Sequence, residues 1–176
     1  KENPGAATVA GSATNSANHV AATKLNELAG IQTTYIPFSG TSPSMTALLG
    51  GQVQGAFSYS TAALNQGEQV RVLAVAAEER LPALPDTPTF KELGYDMVGG
   101  AYRGIAVPSG TPEDIRTKLS DLLGEVNANP EFVKKMEDAG FVVISIPYAE
   151  VPAFMAERQA QYDSVAGIMG IETSAK

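Results

Sequence analysis

Two short polar loops hold the residues that could bind a ligand. The first, residues 11–19, reads Gly-Ser-Ala-Thr-Asn-Ser-Ala-Asn-His, and the second, residues 38–43, reads Phe-Ser-Gly-Thr-Ser-Pro. Each loop is expected between a strand and a helix, where backbone N–H groups and the helix dipole favour an anion. Neither loop contains a strong nucleophile. The pattern therefore predicts a pocket that holds a carboxylate or phosphate without reacting with it.

Helix capping is a competing explanation for these side chains, since Ser16 or Asn18 would cap the first helix and Ser42 the second. Capping alone accounts for one polar side chain in each loop. The loops carry more than that: Ser12, Thr14, Asn15 and Ser16 in the first, and Ser39, Thr41, Ser42 and Ser44 around the second. This excess favours ligand contact. Ser58, at the end of the next strand, is expected at the same edge and is a weaker candidate.

Catalysis and metal binding have little support. The single histidine, His19, could pair with Ser16 as base and nucleophile, and a hydrolase of this kind is a remote alternative. No Gly-x-Ser-x-Gly turn surrounds Ser16, so His19 is instead predicted to brace the loop. With one histidine, no cysteine and no nucleotide-binding glycine motif, we expect no catalytic residue, no metal site and no cofactor.

The size and charge of the chain limit its class. Its 176 residues suffice for one large domain or two small lobes. A net charge of −7 argues against a nucleic-acid partner, which requires a basic surface. No apolar run is long enough for a membrane span, and no signal peptide is visible. The opening Lys-Glu-Asn-Pro-Gly is typical of a helix end followed by a turn, so we expect the chain to begin at a cut edge.

Strands and helices are predicted to alternate along the chain. The expected strands are 8–10, 33–36, 53–57, 70–76, 104–107 and 141–146. The expected helices are 18–29, 43–49, 60–66, 88–93, 112–126, 130–139 and 149–169. Such alternation indicates a mainly parallel α/β sheet, in which ligands bind at the carboxyl ends of the strands. Both polar loops follow strands, and a boundary between lobes is expected near residues 97–103.

The ordered motifs resemble the substrate-binding proteins of tripartite tricarboxylate transporters, also called Bug-type periplasmic receptors. The likeness extends over essentially the whole chain. Its main pieces are the loop ending in Asn18-His19, Tyr-Ile-Pro-Phe-Ser-Gly at 35–40, Leu-Leu-Gly-Gly-Gln at 48–52, Leu-Pro-Asp-Thr-Pro-Thr-Phe at 84–90, Val-Pro-Ser-Gly-Thr-Pro at 107–112 and Ala-Gly-Ile-Met-Gly-Ile at 166–171. No single piece is diagnostic, but the set in this order and spacing is specific.

The resemblance implies a type II periplasmic binding protein fold, with two α/β lobes of mainly parallel sheet around a cleft. Residues 1–98 would form most of lobe two and residues 99–176 the C-terminal part of lobe one. Because family members are longer, the N-terminal part of lobe one is expected to be absent. Sheet edges left open in this way would allow a dimer.

The resemblance also implies a function: an extracytoplasmic or periplasmic receptor that captures a small carboxylate and delivers it to integral membrane transporter subunits. The implied binding residues are Ser12, Ala13, Thr14, Asn15, Ser16, Ser39, Gly40 and Ser58. Amino-acid-binding members place an Asp near Ser58, so a neutral Ser favours a di- or tricarboxylate. Arg103 could reach an anion, but an arginine near a lobe boundary is more often expected to pair structurally. The same fold could also serve as a carboxylate sensor for a membrane signalling protein, which the sequence does not distinguish.

Overall fold

The computed structural model describes residues 2–171. Its strands are β1 (Thr8–Ser12), β2 (Thr34–Phe38) and β3 (Gly55–Ala56). Its helices are α1 (Ala17–Ala29), α2 (Thr41–Leu49), α3 (Ser60–Gln66), α4 (Glu113–Asn127), α5 (Pro130–Asp138) and α6 (Val151–Ala166), with short 3-10 turns at Gly67–Gln69 and Tyr148–Glu150. Among residues 2–171 there is no helix with the length and apolar character that a bilayer crossing requires.

The three strands form a parallel sheet in the order β2-β1-β3. Ala10, in the central strand β1, is completely buried and pairs with Ile36 on one side and Ala56 on the other. Ala47 of α2 and Val53 complete a small core with Ala10. Because these side chains are small, α2 packs close to the sheet. The parallel pairing of β1 with β2, in which Ser12 lies opposite Phe38, places the carboxyl ends of both strands at one edge.

The first half of the chain follows the predicted alternation closely. Strand β1 extends two residues beyond the predicted end, to Ser12, and β3 is shorter than residues 53–57. Strand β2 continues through Pro37, which a strand at the sheet edge tolerates because the missing N–H is not needed for pairing. Helix α1 buries Asn18 and Ala22. The alternation thus predicted the order of these elements, and the tertiary packing set their ends.

The helix starts confirm some predicted caps and correct others. Asn129 caps α5, since its side chain accepts from two backbone amides at 3.0 and 3.1 Å. The predicted Ser42 cap is wrong, because α2 begins at Thr41 with Gly40 in the cap position and Pro43 within the first turn. Pro112 occupies the cap position of α4, where no side chain makes a capping hydrogen bond within the described residues.

Three predicted strands do not form within residues 2–171. Of residues 70–76, only Val75 pairs, in an isolated parallel bridge with Thr89, and residues 104–107 and 141–146 lie outside any sheet. Leu73 is 72% exposed and Ile105 67% exposed, so these segments are not covered on both faces as expected. A strand requires a neighbour that satisfies its backbone N–H and C=O groups, and no described segment supplies one.

The C-terminal helices are also more exposed than their periodicity predicts. Helix α4 carries an apolar stripe at helical spacing whose members are exposed: Ile115, Leu119, Leu122 and Val126. The final helix is α-helical from Val151 to Ala166 rather than over residues 149–169. Residues 88–93 form turns instead of a helix. The apolar stripe of α4 thus has no described element packed over it.

Arg80, Thr89 and Glu92 form a hydrogen-bonded cluster next to the bridge between Val75 and Thr89. Glu92 accepts from the Thr89 backbone amide at 2.7 Å, and the Thr89 hydroxyl accepts from the Glu92 amide at 3.1 Å. This reciprocal pair has the arrangement of a capping box. Arg80 donates from Nε to both carboxylate oxygens of Glu92 at 3.0 Å. The hydrogen bond from Arg80 and that from Thr89 lower the pKa of Glu92 below its ordinary value.

Glu92 should therefore make stability depend on pH in a defined direction. Because its folded-state pKa is lowered, its contribution is fully present above the unfolded value of about 4.5 and is lost as pH falls through the folded value. We expect the difference in melting midpoint between wild type and Glu92→Gln to be largest above that pH and to shrink below it. Glu79→Gln, at an exposed position, is the control, and a difference that is constant with pH would contradict the assignment.

Candidate functional site

The two polar loops lie side by side at the carboxyl edge of the sheet. Ser12 ends β1 directly opposite Phe38, which ends β2. The Ala13 amide then donates to the Phe38 carbonyl at 2.7 Å, which ties the two loops together. On the other side of β1, the Phe57 amide donates to Ala10 at 2.8 Å, so Ser58 follows immediately past the end of β3. The structure thus brings all three predicted segments to one edge.

Part of the first loop is engaged in its own folding. The Ser12 amide and hydroxyl both donate to the side-chain oxygen of Asn18, at 3.1 and 2.6 Å. The Ser16 hydroxyl donates to the Ala13 carbonyl at 3.0 Å and accepts from the His19 amide at 3.3 Å. The Ser16 cap on α1 is thereby confirmed. Three of the predicted site residues thus have their donors occupied by protein groups: Ser12 by Asn18, Ser16 by the Ala13 carbonyl and Ala13 by the Phe38 carbonyl.

Thr14 and Asn15 form the outer part of the same loop. Both are exposed, and their side chains make no hydrogen bond within residues 2–171. Asn15 has a left-handed backbone conformation, φ 60°, which asparagine adopts more readily than most residues. These two side chains are therefore available to a ligand at the sheet edge.

The second loop has more unused donors than the first. In the described part of the chain, the hydroxyls of Ser39, Thr41 and Ser42 make no hydrogen bond, whereas that of Ser44 donates to the Thr41 carbonyl at 2.8 Å. Gly40 is extended, with φ 171°, and a Cβ built there meets no atom within 4 Å. Neither the backbone nor the packing of this chain requires glycine at this position. Because Gly40 has no side chain, it leaves the backbone amides in the first turn of α2 open to a ligand.

Ser58 differs from the other candidates because its hydroxyl oxygen is buried. That oxygen has no hydrogen-bond partner among the described residues. A buried polar group left without a partner costs about 1–3 kcal/mol, so such groups usually have a reason to persist. A polar atom of a ligand bound at this edge would supply the missing partner.

His19 acts as a brace, as the sequence predicted. Its ring stacks on Tyr35 with centroids 4.4 Å apart, and its Nδ1 accepts from the Asn15 amide at 3.1 Å. Because Nδ1 accepts a hydrogen bond, the imidazole of His19 is neutral. Burial lowers the pKa of His19, which also favours the neutral form. Ser16 contacts the backbone amide of His19 rather than its ring. The geometry therefore does not form the nucleophile and base of a hydrolase.

The surroundings of the site are nearly free of charge. Residues 3–67 contain one acidic residue, Glu27, of the 19 in the chain, and one basic residue, Lys24, of the 12. Arg103 lies elsewhere, with its guanidinium 4.9 Å from the ring centre of Phe141, which agrees with a structural role. The segment that builds this edge therefore offers an anion neutral donors, although the whole chain is acidic.

Two supporting residues escaped the sequence interpretation. Asn18 was considered only as a cap, and Tyr35 only as part of a motif. The signal for Asn18 was its spacing, since it lies four residues before Ala22 on the face of α1 that is buried. No local pattern indicated that the Tyr35 hydroxyl reaches the Ser12 carbonyl, because this contact joins two separate strands.

Comparison with known proteins places these features in a family. The model of the tripartite tricarboxylate transporter family receptor matches residues 1–170. A protein from the gbd 5′ region of Cupriavidus necator is 30% identical over 164 residues, covering 90% of this chain and 50% of that protein. The chain thus spans about half the length of this relative.

Solved structures agree with the family match. The periplasmic binding protein BugD is 29% identical with a TM-score of 0.75, covering 97% of this chain and 59% of its own. MatC from Rhodopseudomonas palustris, solved with bound malate, is 28% identical with a TM-score of 0.68, covering 93% of this chain and 56% of its own. The fold is accordingly of the α/β, type II periplasmic binding protein kind, with a parallel sheet. The chain belongs to the tripartite tricarboxylate transporter receptor family.

Proposed function

We propose that this chain is the ligand-binding part of a periplasmic receptor that captures a small di- or tricarboxylate. The observation that carries the proposal is the edge where the Ala13–Phe38 hydrogen bond joins the two loops. At that edge, unused amide and hydroxyl donors converge beside a helix N-terminus, and no acidic side chain lies in either loop. Neutral donors in this arrangement suit a carboxylate ligand.

The proposed contacts divide the candidate residues into two groups. Thr14, Asn15, Ser39, Gly40 and Ser58 would touch the ligand through their unused donors. Ser12, Ala13 and Ser16, whose donors are occupied, would contribute by shaping the first loop. No covalent bond is made or broken. The receptor binds the acid by closing its lobes about a hinge, with residues 1–98 and 99–176 belonging to different lobes.

The ligand class is supported by Ser58 and by one structural neighbour. MatC was solved with malate, a dicarboxylate. A neutral Ser58 leaves room for a second carboxylate of the ligand, where an acidic residue would repel it. We therefore propose an organic acid rather than an amino acid as the ligand.

The proposed partners follow from family membership. The loaded receptor delivers its acid to integral membrane subunits of a tripartite tricarboxylate-type transporter, and it does so in the periplasm. A dimer, as the sequence suggested, would form through β2 and β3, the two outer strands of the described sheet.

The direct test is to measure ligand binding to the natural protein that contains this sequence. Citrate, tartrate, malate and succinate are compared with glutamate and aspartate by thermal shift and calorimetry. A ligand at about 100 times its dissociation constant stabilises the folded state by about 2.7 kcal/mol, and we expect such a shift from the organic acids. Dimethyl malate, which keeps the carbon skeleton without the charges, is the control and should produce no shift. A response to amino acids alone, or to none of these acids, would overturn the proposal.

A further inference from the structure

The first loop has a backbone conformation that requires support. Ala13 and Asn15, two residues apart, both have positive φ values, 23° and 60°. Left-handed conformations are unfavourable for residues with a side chain, and they persist where surrounding contacts hold them. The contacts that hold this loop come from two other elements, α1 and β2.

Asn18 of α1 supports the loop from beneath. Its side chain is only 5% exposed, and its oxygen accepts from both the amide and the hydroxyl of Ser12, at 3.1 and 2.6 Å. A buried carboxamide with two short hydrogen bonds to one residue fixes the orientation of that residue. Ser12 is the last residue of β1, so its orientation sets the direction in which the loop leaves the sheet.

Tyr35 of β2 supports the same residue from the other side. Its hydroxyl donates to the Ser12 carbonyl at 2.6 Å. The amide and hydroxyl of Ser12 are therefore held by a side chain of α1, and its carbonyl by a side chain of β2. Gly11 makes this possible, because a Cβ there would lie 2.8 Å from both Asn18 Cβ and Tyr35 Cε2.

His19 connects this support to the outer part of the loop. Its ring stacks on Tyr35, and its Nδ1 accepts from the amide of Asn15, one of the two left-handed residues. One chain of contacts thus runs from Tyr35 through His19 to the residue beside Thr14. These contacts fix the backbone at Asn15, and so position the exposed side chains of Thr14 and Asn15 at the sheet edge.

We propose that Asn18 and Tyr35 are positioning residues, which hold the first loop in its ligand-binding shape before the carboxylate arrives; this rests on the function proposed above. They do not touch the ligand. Preorganisation of this kind raises affinity, because the ordering of the loop is completed before binding. Removing the Tyr35 hydroxyl should therefore weaken binding while the sheet remains folded.

Tyr35→Phe tests this directly in the native polypeptide, since it keeps the ring and its stacking on His19. We expect the dissociation constant for malate to rise roughly 5- to 10-fold, the effect of one lost hydrogen bond. In the ligand-free protein, the amides of Ser12, Ala13 and Asn15 should exchange with solvent faster. Tyr95→Phe is the control, since the Tyr95 hydroxyl makes no hydrogen bond within residues 2–171.

Asn18 offers a second test through two substitutions of similar size. Asn18→Asp keeps an acceptor for Ser12, so the Ser12 amide should stay slow to exchange in the ligand-free protein. Asn18→Leu removes that acceptor, so the Ser12 amide should exchange faster. Unchanged exchange in Asn18→Leu, or wild-type affinity in Tyr35→Phe, would overturn the inference. If the wild-type protein binds no carboxylate, the proposed function fails. If the wild-type protein binds no carboxylate and Tyr35→Phe nevertheless speeds amide exchange, the Tyr35 contact has only a structural role, and the inference also fails.

Discussion

Gly11→Ala should lower the melting midpoint of the protein by roughly 4–8 °C, for a loss of about 2 kcal/mol. The new Cβ would lie 2.8 Å from Asn18 Cβ and from the ring of Tyr35. Asn18 Cβ is attached to the backbone of α1, so relieving the overlap requires the helix to move away from β1. Thermal unfolding followed by circular dichroism measures the loss.

Gly55→Ala is the matched control for that substitution. Gly55 lies in β3 of the same sheet, and its new Cβ would meet Val9 Cγ1 at 3.6 Å, an ordinary contact. Replacing glycine where the conformation allows it reduces the freedom of the unfolded chain, so its midpoint should stay unchanged or rise slightly. Equal midpoints for Gly11→Ala and wild type would show that the packing around Ser12 is looser than described.

Ser58→Asp should cause the largest change in ligand binding. Two like charges about 4 Å apart repel by about 4 kcal/mol at an effective dielectric of 20, and salt reduces this where water has access. We therefore expect the dissociation constant for malate to rise at least about 30-fold. The buried Ser58 oxygen has no partner in the described chain, so a carboxylate there would face the ligand without compensation.

The ratio of two matched ligands separates this effect from general damage to the fold. Malate and aspartate share a skeleton and differ in a hydroxyl against an ammonium group. Ser58→Asp should shift the preference toward aspartate, because the new carboxylate can meet the ammonium. Ser58→Asn, which is polar and uncharged, should leave the malate-to-aspartate ratio near its wild-type value. The same ratio in Ser58→Asp and wild type would contradict the placement of Ser58 at the ligand.

Much of the first half of the fold could be predicted from periodicity. Alternating apolar runs predicted β1, α1, β2, α2 and α3 in the right order, and the sheet that they build is parallel. These elements pack on one another within about sixty residues, so their local patterns and their tertiary contacts agree. Ser16, one of the two residues predicted to cap the first helix, is the observed cap, because capping depends mainly on neighbouring residues.

The second half shows where local patterns fail. Residues 70–76 and 141–146 have the apolar composition of strands, and α4 has the stripe of a packed helix. In the described chain these surfaces are covered only in part: Val75 is buried, whereas Leu73 and Ile115 are exposed. An apolar pattern predicts which side chains of a segment would be buried. A strand or a core forms only where another segment packs or pairs with it.

The sequence by itself determined the chemical character of the binding edge: short hydroxyl and amide side chains, and no acid in either loop. Only the tertiary structure decided how those groups divide, with Ser12 and Ser16 engaged inside the loop and Thr14 and Ser39 left unused. The reason is physical. The donors of Ser12 are occupied by Asn18 on a helix, and its carbonyl accepts from Tyr35 on a neighbouring strand; the distance of both from Ser12 is set by folding rather than by sequence spacing.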